Sequence, residues 1–183
     1  FYVETGLNII GMSDYKRILS LDSAMAVVQF KKDHVAYQRN YFISYPANVM
    51  VMRFSADQPG KQNLVFSYAP NPVSTGNMAS DGNKGLVYSA SLDNNGMKYV
   101  VRIQAETKGG TLSNADGKLA VKGADEVVFY ITADTDYKPN FDPDFKDPKT
   151  YVGVNPEETT KEWMNNAVSQ GYTALFSQHY NDY

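Results

Sequence analysis

Apolar and polar residues alternate with a period of two through most of residues 1–134. This is the pattern of β-strands that have two unlike faces. Residues 35–45 predict a strand with one largely apolar face at the odd positions. Residues 99–106 and 126–133 repeat the alternation and place charged side chains such as Arg102 on the outward face. We therefore expect the larger part of the chain to form β-sheet.

Turn sequences separate these runs. Asn95-Gly96 and Asp116-Gly117 predict tight hairpins, because Asn, Asp and Gly tolerate the positive φ of such turns. Residues 70–85 are rich in Asn, Ser, Gly and Pro and predict a long surface loop. Roughly nine or ten short strands with this spacing indicate an antiparallel β-sandwich.

The pattern changes after the last predicted strand. Residues 136–148 are rich in Pro and Asp, lack periodicity and predict a loop. A helix is expected next, because Asn155 is a good N-cap and Pro156 suits the first helical position. Gly171 predicts the end of this helix, and a second helix is expected from about Thr173.

An apolar stripe at helical spacing continues to Tyr183 without a stop signal, which indicates a helix that leads into another domain. The fold class we predict is mainly β, an antiparallel β-sandwich with one or two C-terminal helices. Residues 1–154 would form the sandwich and residues 155–183 the helical segment.

Composition and charge exclude several function classes. The formal net charge is -3 and no basic run is longer than Lys31-Lys32, which argues against a nucleic-acid partner. No apolar stretch is long enough for a membrane span. The chain has no Cys and two His, so disulfides, thiolate sites and a His-rich metal site are not expected. No cofactor is implied.

Five phrases in chain order carry a resemblance to a known family. The first is YKRILSLD, in which the Leu positions are shifted by one residue relative to the pattern of that family. The third, fourth and fifth phrases are NGMKYVVRIQAETKGGTL, GADEVVFYITADTDY and GYTALFSQHYNDY. The second phrase comprises Tyr37, Arg39, Phe42, Ser44 and Pro46. Together they resemble the N-terminal domain of glycoside hydrolase family 95, the α-L-fucosidases. Residues 71–85 and 140–147 are not part of the shared pattern.

The resemblance implies a β-sandwich followed by a helical linker, an (α/α)-barrel and a C-terminal β domain. It also implies inverting hydrolysis of α-L-fucosyl linkages, with the acid Glu and the water-activating Asn/Asp group in the barrel. Those motifs are not in this sequence, so we predict no catalytic residues here and an inactive fragment of an active parent enzyme. The expected partners are the parent's own barrel and a fucosylated glycan or a related α-L-sugar such as an L-galactoside. The expected location is periplasmic or extracellular. An alternative is a free-standing carbohydrate-binding sandwich.

Three groups of side chains are candidates for a site. Arg39 lies on the apolar face of residues 35–45, where we favour an internal ion pair over a substrate contact. His179 lies on the stripe of the last helix, where we favour a packed, hydrogen-bonded histidine over a role toward substrate. An acidic region predicts a solvated loop, with a calcium site as the alternative. Its residues are Asp134, Asp136, Asp142, Asp144 and Asp147.

Overall fold

The structure is a computed structural model and describes residues 1–147 and 149–183. Within them the chain forms twelve β-strands and one α-helix. The strands are β1 Tyr2–Glu4, β2 Ser13–Ser20, β3 Met25–Lys32, β4 Val35–Ser44, β5 Val49–Ala56, β6 Gln62–Ser67, β7 Ser74–Asp81, β8 Gly85–Leu92, β9 Lys98–Lys108, β10 Thr111–Ala115, β11 Lys118–Ala124 and β12 Glu126–Thr135. The helix α1 is Pro156–Asp182.

The strands form two antiparallel sheets of unequal width. The larger sheet has eight strands in the order β2-β3-β4-β5-β12-β9-β8-β7, and the smaller sheet has four in the order β1-β6-β11-β10. The predicted hairpin at Asp116-Gly117 joins β10 to β11. The prediction of a mainly β, antiparallel sandwich with C-terminal helix is confirmed.

The main core lies between the two sheets. Phe54, Phe129 and Ile103 of the larger sheet meet Phe66 and Leu119 of the smaller one, and all five are at most 2% exposed. Burying each such side chain stabilises the fold by roughly 1.5–3 kcal/mol. The alternation of apolar and polar residues therefore occurs in those strands of the larger sheet that the smaller sheet covers.

The helix packs on the opposite face of the larger sheet. Its N-cap is Asn155, whose side chain accepts a hydrogen bond from the backbone N–H of Glu157, and Pro156 follows as predicted. Gly171, the predicted stop, has φ 71° and ψ 171°, so it joins two helical segments across a kink. Leu175 and Met164 from the two segments share one buried cluster against the sheet. No helix in the described part of the chain combines the length and apolarity needed to cross a membrane.

Two loop predictions have different outcomes. The loop predicted over residues 70–85 is wrong in part, because β7 lies inside it and pairs along its length with β8. This strand forms the outer edge of the larger sheet and is mostly exposed. Its sequence therefore lacks the alternation of apolar and polar residues by which buried strands are recognised. The loop predicted over residues 136–148 contains no strand or helix in its described part, and its last residue, Pro148, lies outside the described residues.

The apolar face predicted for residues 35–45 is also wrong at its far end. Ile43 and Tyr45 are 66% and 81% exposed, whereas Phe42 and Ser44 on the other face are buried. Both faces of the larger sheet are covered in places, one by the smaller sheet and the other by the helix. Phe42 lies under the helix, while the smaller sheet does not reach as far as Ile43.

Candidate functional site

The first turn of the helix is fixed by a buried arginine. Arg102 of β9 donates hydrogen bonds to Asp81 of β7 and, at 3.1 Å, to Glu157 of the helix. Ser89 of β8 donates to the other oxygen of Glu157. Arg102 is 5% exposed because the helix covers the face on which it lies, so the sequence prediction of an outward-facing polar side chain is wrong here. A buried guanidinium requires such carboxylate partners.

A second polar cluster surrounds the kink at Gly171. Arg53 of β5 donates to Glu126 of β12, and this hydrogen bond raises the pKa of the guanidinium. The same guanidinium lies 4.8 Å from the ring centre of Tyr172, a cation–π contact next to the kink. Burial raises the pKa of the Tyr172 phenol, and the nearby Arg53 opposes that rise.

The second cluster borders a cleft of about 420 Å³ that contains two carboxylates, Glu106 and Glu126. Tyr130 donates its phenol proton to Glu106 at 2.8 Å, and burial together with Glu106 raises the pKa of that phenol. Glycoside hydrolysis needs one carboxyl group that donates a proton and a second that activates water. Because Glu126 faces Arg53, which can only donate, and Glu106 accepts from Tyr130, both carboxylates serve as acceptors in this arrangement.

His179 fixes the end of the helix. Its Nε2 lies 3.0 Å from the carbonyl oxygen of Ser23 and 3.3 Å from that of Ala24, in the turn before β3. Two acceptors facing one ring nitrogen require that nitrogen to carry the proton. The ring also stacks on Phe42 with 5.0 Å between centroids, and the residue is 5% exposed. A contact of His179 with substrate stays a prediction.

Arg39 is not part of an ion pair. The salt bridges among residues 1–147 and 149–183 do not include it, so the internal ion pair predicted from the sequence is wrong. Its guanidinium instead lies 5.1 Å from the ring centre of Phe30 and 5.7 Å from that of Phe54. The side chain is partly exposed, so water and aromatic faces together replace a carboxylate partner. A substrate contact by Arg39 stays a prediction.

The acidic candidates do not come together. Asp136 accepts a hydrogen bond from the backbone N–H of Lys98, and Asp134 accepts one from Thr135. Asp144 and Asp147 accept backbone hydrogen bonds within their own loop, and Asp142 is exposed. In the part of the chain that the structure describes, no three His, Cys, Asp or Glu residues are grouped to hold a metal ion.

The sequence did not reveal the polar clusters around the helix. Arg53 and Glu126 are 73 positions apart, and Arg102 and Glu157 are 55 positions apart. The available signal was a charged residue in the middle of an apolar strand, which applies to Arg53 and Arg102 and indicates a partner without identifying it. The result is a helix fixed at its start, its kink and its end.

Comparisons with known proteins show which family this chain belongs to and which proteins it is similar to. Residues 6–140 match the family model described as "Glycosyl hydrolase family 65, N-terminal domain". The chain is similar to "Probable alpha-fucosidase A" from Aspergillus niger, with 30% identity over 92% of this chain and 22% of that protein. It is also similar to "Alpha-L-fucosidase 2" from Arabidopsis thaliana, with 24% identity over 93% of this chain and 22% of that protein.

A solved structure shares the fold at low sequence identity. The structure named "Putative kojibiose phosphorylase from human microbiome" superposes with a TM-score of 0.64 at 10% identity, over 98% of this chain and 26% of that one. The chain thus spans 22–26% of the length of these longer proteins. The matching model is that of family 65, whereas the resemblance seen in the sequence was to family 95; both describe an N-terminal domain of glycoside hydrolases. The chain belongs to the family of glycosyl hydrolase family 65 N-terminal domains.

Proposed function

We propose that this chain is the N-terminal β-sandwich domain of an α-L-fucosidase-like enzyme of glycoside hydrolase family 95. The similarity to the Aspergillus α-fucosidase carries this proposal, because it extends over 92% of the chain at 30% identity. The Arabidopsis protein, whose name specifies α-L-fucosidase, supports an α-L-fucoside as the substrate class. The five sequence phrases that resemble family 95 favour that family for the parent enzyme.

The domain itself serves as an accessory to a catalytic (α/α)-barrel elsewhere in the parent. The two carboxylates in the cleft at the kink already accept hydrogen bonds from Arg53 and Tyr130, which favours a structural role for them over a catalytic one. The helix fixed by Arg102, Arg53 and His179 gives the sandwich a rigid element through which it can hold the barrel. A rigid connection limits the relative motion of two domains and so keeps the entrance to an active site in one shape.

The parent enzyme would invert the configuration at the anomeric carbon. Inversion requires a water molecule between the acid and the base, and both groups would lie in the barrel. We also propose that the parent acts in the periplasm or outside the cell, since glycans with fucosyl linkages are the proposed substrate.

A free-standing carbohydrate-binding role is the second candidate. Phe141 and Phe145 are 98% and 85% exposed on one loop, and exposed aromatic rings can stack on sugars. Calorimetric titration of the chain with a panel of fucosylated glycans decides between the two candidates. Heat of binding that disappears in F141A/F145A would favour this second candidate, and flat titrations with the wild type would exclude it.

The main proposal is tested with the complete parent polypeptide and aryl glycosides. We expect turnover of aryl α-L-fucoside, with weaker or no turnover of the α-L-galactoside and none of the β-L-fucoside. Nuclear magnetic resonance of the first product should show β-L-fucose, as inversion requires. No turnover of the α-L-fucoside would refute the substrate class, and α-L-fucose as the first product would refute inversion.

A further inference from the structure

A hollow of about 560 Å³ opens at one end of the sandwich. β6 ends one residue before Tyr68 in its lining, β12 ends in it at Thr135, and the turn from β8 to β9 forms a further wall. Small-molecule sites have volumes of roughly 300–1,000 Å³ and are lined mainly by apolar and aromatic side chains with a few polar groups. The hollow has the volume of such a site.

The lining of this hollow also has the composition of a small-molecule site. Tyr68 and Tyr99 are both half-buried, and the ring of Tyr88 lies 5.3 Å from the first and 5.9 Å from the second. Leu92 and Met97 add partly exposed apolar surface. The two lining rings are therefore held in place from behind and offer an apolar surface with a hydroxyl group at its edge. The other polar residues of the lining are Asn71, Asp134 and Thr135.

A chain of hydrogen bonds fixes the direction of each hydroxyl proton at this lining. Ser74 Oγ donates its only proton to the carbonyl oxygen of Asn71 at 2.7 Å. Tyr99 must therefore be the donor in the 2.6 Å bond between its hydroxyl and Ser74 Oγ. Burial is the main cause that raises the pKa of Tyr68, and a hydrogen bond with Tyr99 raises it further. A bond with this effect stabilises the protonated phenol, so Tyr68 donates to Tyr99.

The oxygen of Tyr68 begins this chain and is left as an acceptor. Because hydrogen bonds in a chain polarise one another, donation to Tyr99 makes this oxygen a stronger acceptor. Asn71 supplies the opposite function. Its Oδ1 accepts from the backbone N–H of Val73 at 3.1 Å, while its two amide protons have no acceptor among residues 1–147 and 149–183. The hollow thus presents an acceptor and a donor, and a hydroxyl group can satisfy both.

We propose that this hollow binds one sugar unit of a glycan, with a sugar hydroxyl that donates to the Tyr68 oxygen and accepts from the Asn71 amide. The apolar C–H face of the sugar ring packs against Tyr99 and Met97. A peptide is a poorer match, because its N–H groups only donate and its C=O groups only accept. The hollow is distinct from the exposed rings of Phe141 and Phe145, which are not in its lining. The inference rests on the proposed function only for the choice of an α-L-fucoside as the probe.

Hydrogen exchange of the complete parent enzyme, titrated with methyl α-L-fucoside, tests this site. We expect the amides of residues 69–75 and 92–99 to exchange about threefold more slowly as the sugar is added. This readout is local, so sugar bound elsewhere in the parent does not produce it. No slowing in either segment would overturn the proposal.

Three variants of the parent test the two hydrogen-bonding groups. Tyr68→Phe removes the acceptor, and Asn71→Asp removes the amide protons while keeping the oxygen that accepts from Val73. We expect each to weaken the binding that the local exchange reports by about fivefold. Tyr2→Phe is the control, because Tyr2 is an exposed tyrosine outside the lining, and its binding should equal that of the wild type. Unchanged binding in both Tyr68→Phe and Asn71→Asp would overturn the proposal.

The same titration of the chain of residues 1–183 shows whether the hollow stays open in the parent. Slower exchange in the chain but not in the parent would mean that another part of the parent fills the hollow, and would overturn the proposal. The turnover assay keeps this inference separate from the proposed function. A parent that hydrolyses aryl α-L-fucoside without local slowing would refute the inference alone, and an inactive parent with local slowing would refute the proposed activity alone.

Discussion

Arg102 of β9 donates a hydrogen bond to Glu157 of the helix at 3.1 Å, while the same guanidinium binds Asp81 of β7. One buried side chain therefore connects the edge of the larger sheet, its interior and the first turn of the helix. The planar guanidinium can serve two carboxylates at once, which an ammonium group on a flexible chain does less well. The start of the helix is thus fixed by charge as well as by its Asn155 cap.

Replacing Arg102 should weaken the attachment of the helix. Because Arg102→Ala leaves Asp81 and Glu157 without their shared partner, we expect a loss of about 2 kcal/mol in the free energy of unfolding. The loss is at the low end for a buried pair because those two carboxylates are 35% and 39% exposed. Urea denaturation measures it. Lys31→Ala removes the exposed pair with Asp14 and should leave the midpoint unchanged; equal effects of the two variants would contradict the buried role of Arg102.

The second half of the helix should depend on Leu175, which is fully buried against the sheet. Leu175→Ala creates a cavity there, and a cost of about 3 kcal/mol is expected. Native-state hydrogen exchange should become faster in the helix after the kink and stay slow in β9 and β12, since the core between the sheets is untouched. Ser177→Ala, on the same half of the helix, is the matched control. Uniformly faster exchange in both strands would show that the helix and the inter-sheet core unfold as one unit.

The stacking of Arg39 on Phe30 and Phe54 predicts a distinctive substitution pattern. Arg39→Ala should lower the free energy of unfolding by about 1 kcal/mol. Arg39→Lys keeps the charge but loses the planar group that lies over the rings, so we expect it to resemble Arg39→Ala. Thermal melting of the three proteins compares them. Full retention of stability in Arg39→Lys would indicate that charge, rather than stacking, is what matters at this position.

Tyr68 should make the fold sensitive to alkaline pH. Burial raises the pKa of Tyr68 from 10.0 to about 12. A folded-state pKa above the unfolded value means that the contribution to stability is complete below pH 10 and is lost as the pH rises from 10 toward 12. Melting temperatures measured across this window should therefore fall less steeply in Tyr68→Phe than in the wild type. Some fall should remain, because burial also raises the pKa of Tyr41 and Tyr130.

Tyr45→Phe is the control for this measurement, because Tyr45 is 81% exposed. Its melting temperature should follow that of the wild type at every pH. If Tyr68→Phe and Tyr45→Phe gave the same profile, the partly buried phenol of Tyr68 would not be the source of the alkaline loss.

The parts of the fold that follow local rules could be predicted from the sequence. The Asn155 cap, the hairpin at Asp116-Gly117 and the change from strand to loop before residue 136 depend on neighbouring residues, and the structure shows all three. The sequence predicts that one helix ends at Gly171 and that a second begins near Thr173, and the structure shows two helical segments that meet at Gly171 across a kink. What the sequence did not predict is that Leu175 of the second segment packs in the same buried cluster as Met164 of the first.

The features that depend on distant residues could not be predicted. β7 is mostly polar and becomes a strand by pairing with β8, and Arg102 is buried because a helix 55 positions away covers it. The sequence pattern predicts that Ile43 is buried and Phe42 exposed, and the structure shows the reverse. The reason is that different elements cover the two faces of β4. Of the candidate site, the sequence identified Arg39 and His179 by residue type and position, and it could not identify the rings and carbonyl groups that surround them.

The most direct test of the central claim is turnover of aryl α-L-fucoside by the chain of residues 1–183 and by the parent polypeptide, measured side by side at equal molar concentration. We predict turnover by the parent and a rate at the level of the buffer for the chain alone, because the acid and base that inversion requires would lie in the barrel. Turnover by the chain alone at a rate near that of the parent would contradict its assignment as an accessory domain.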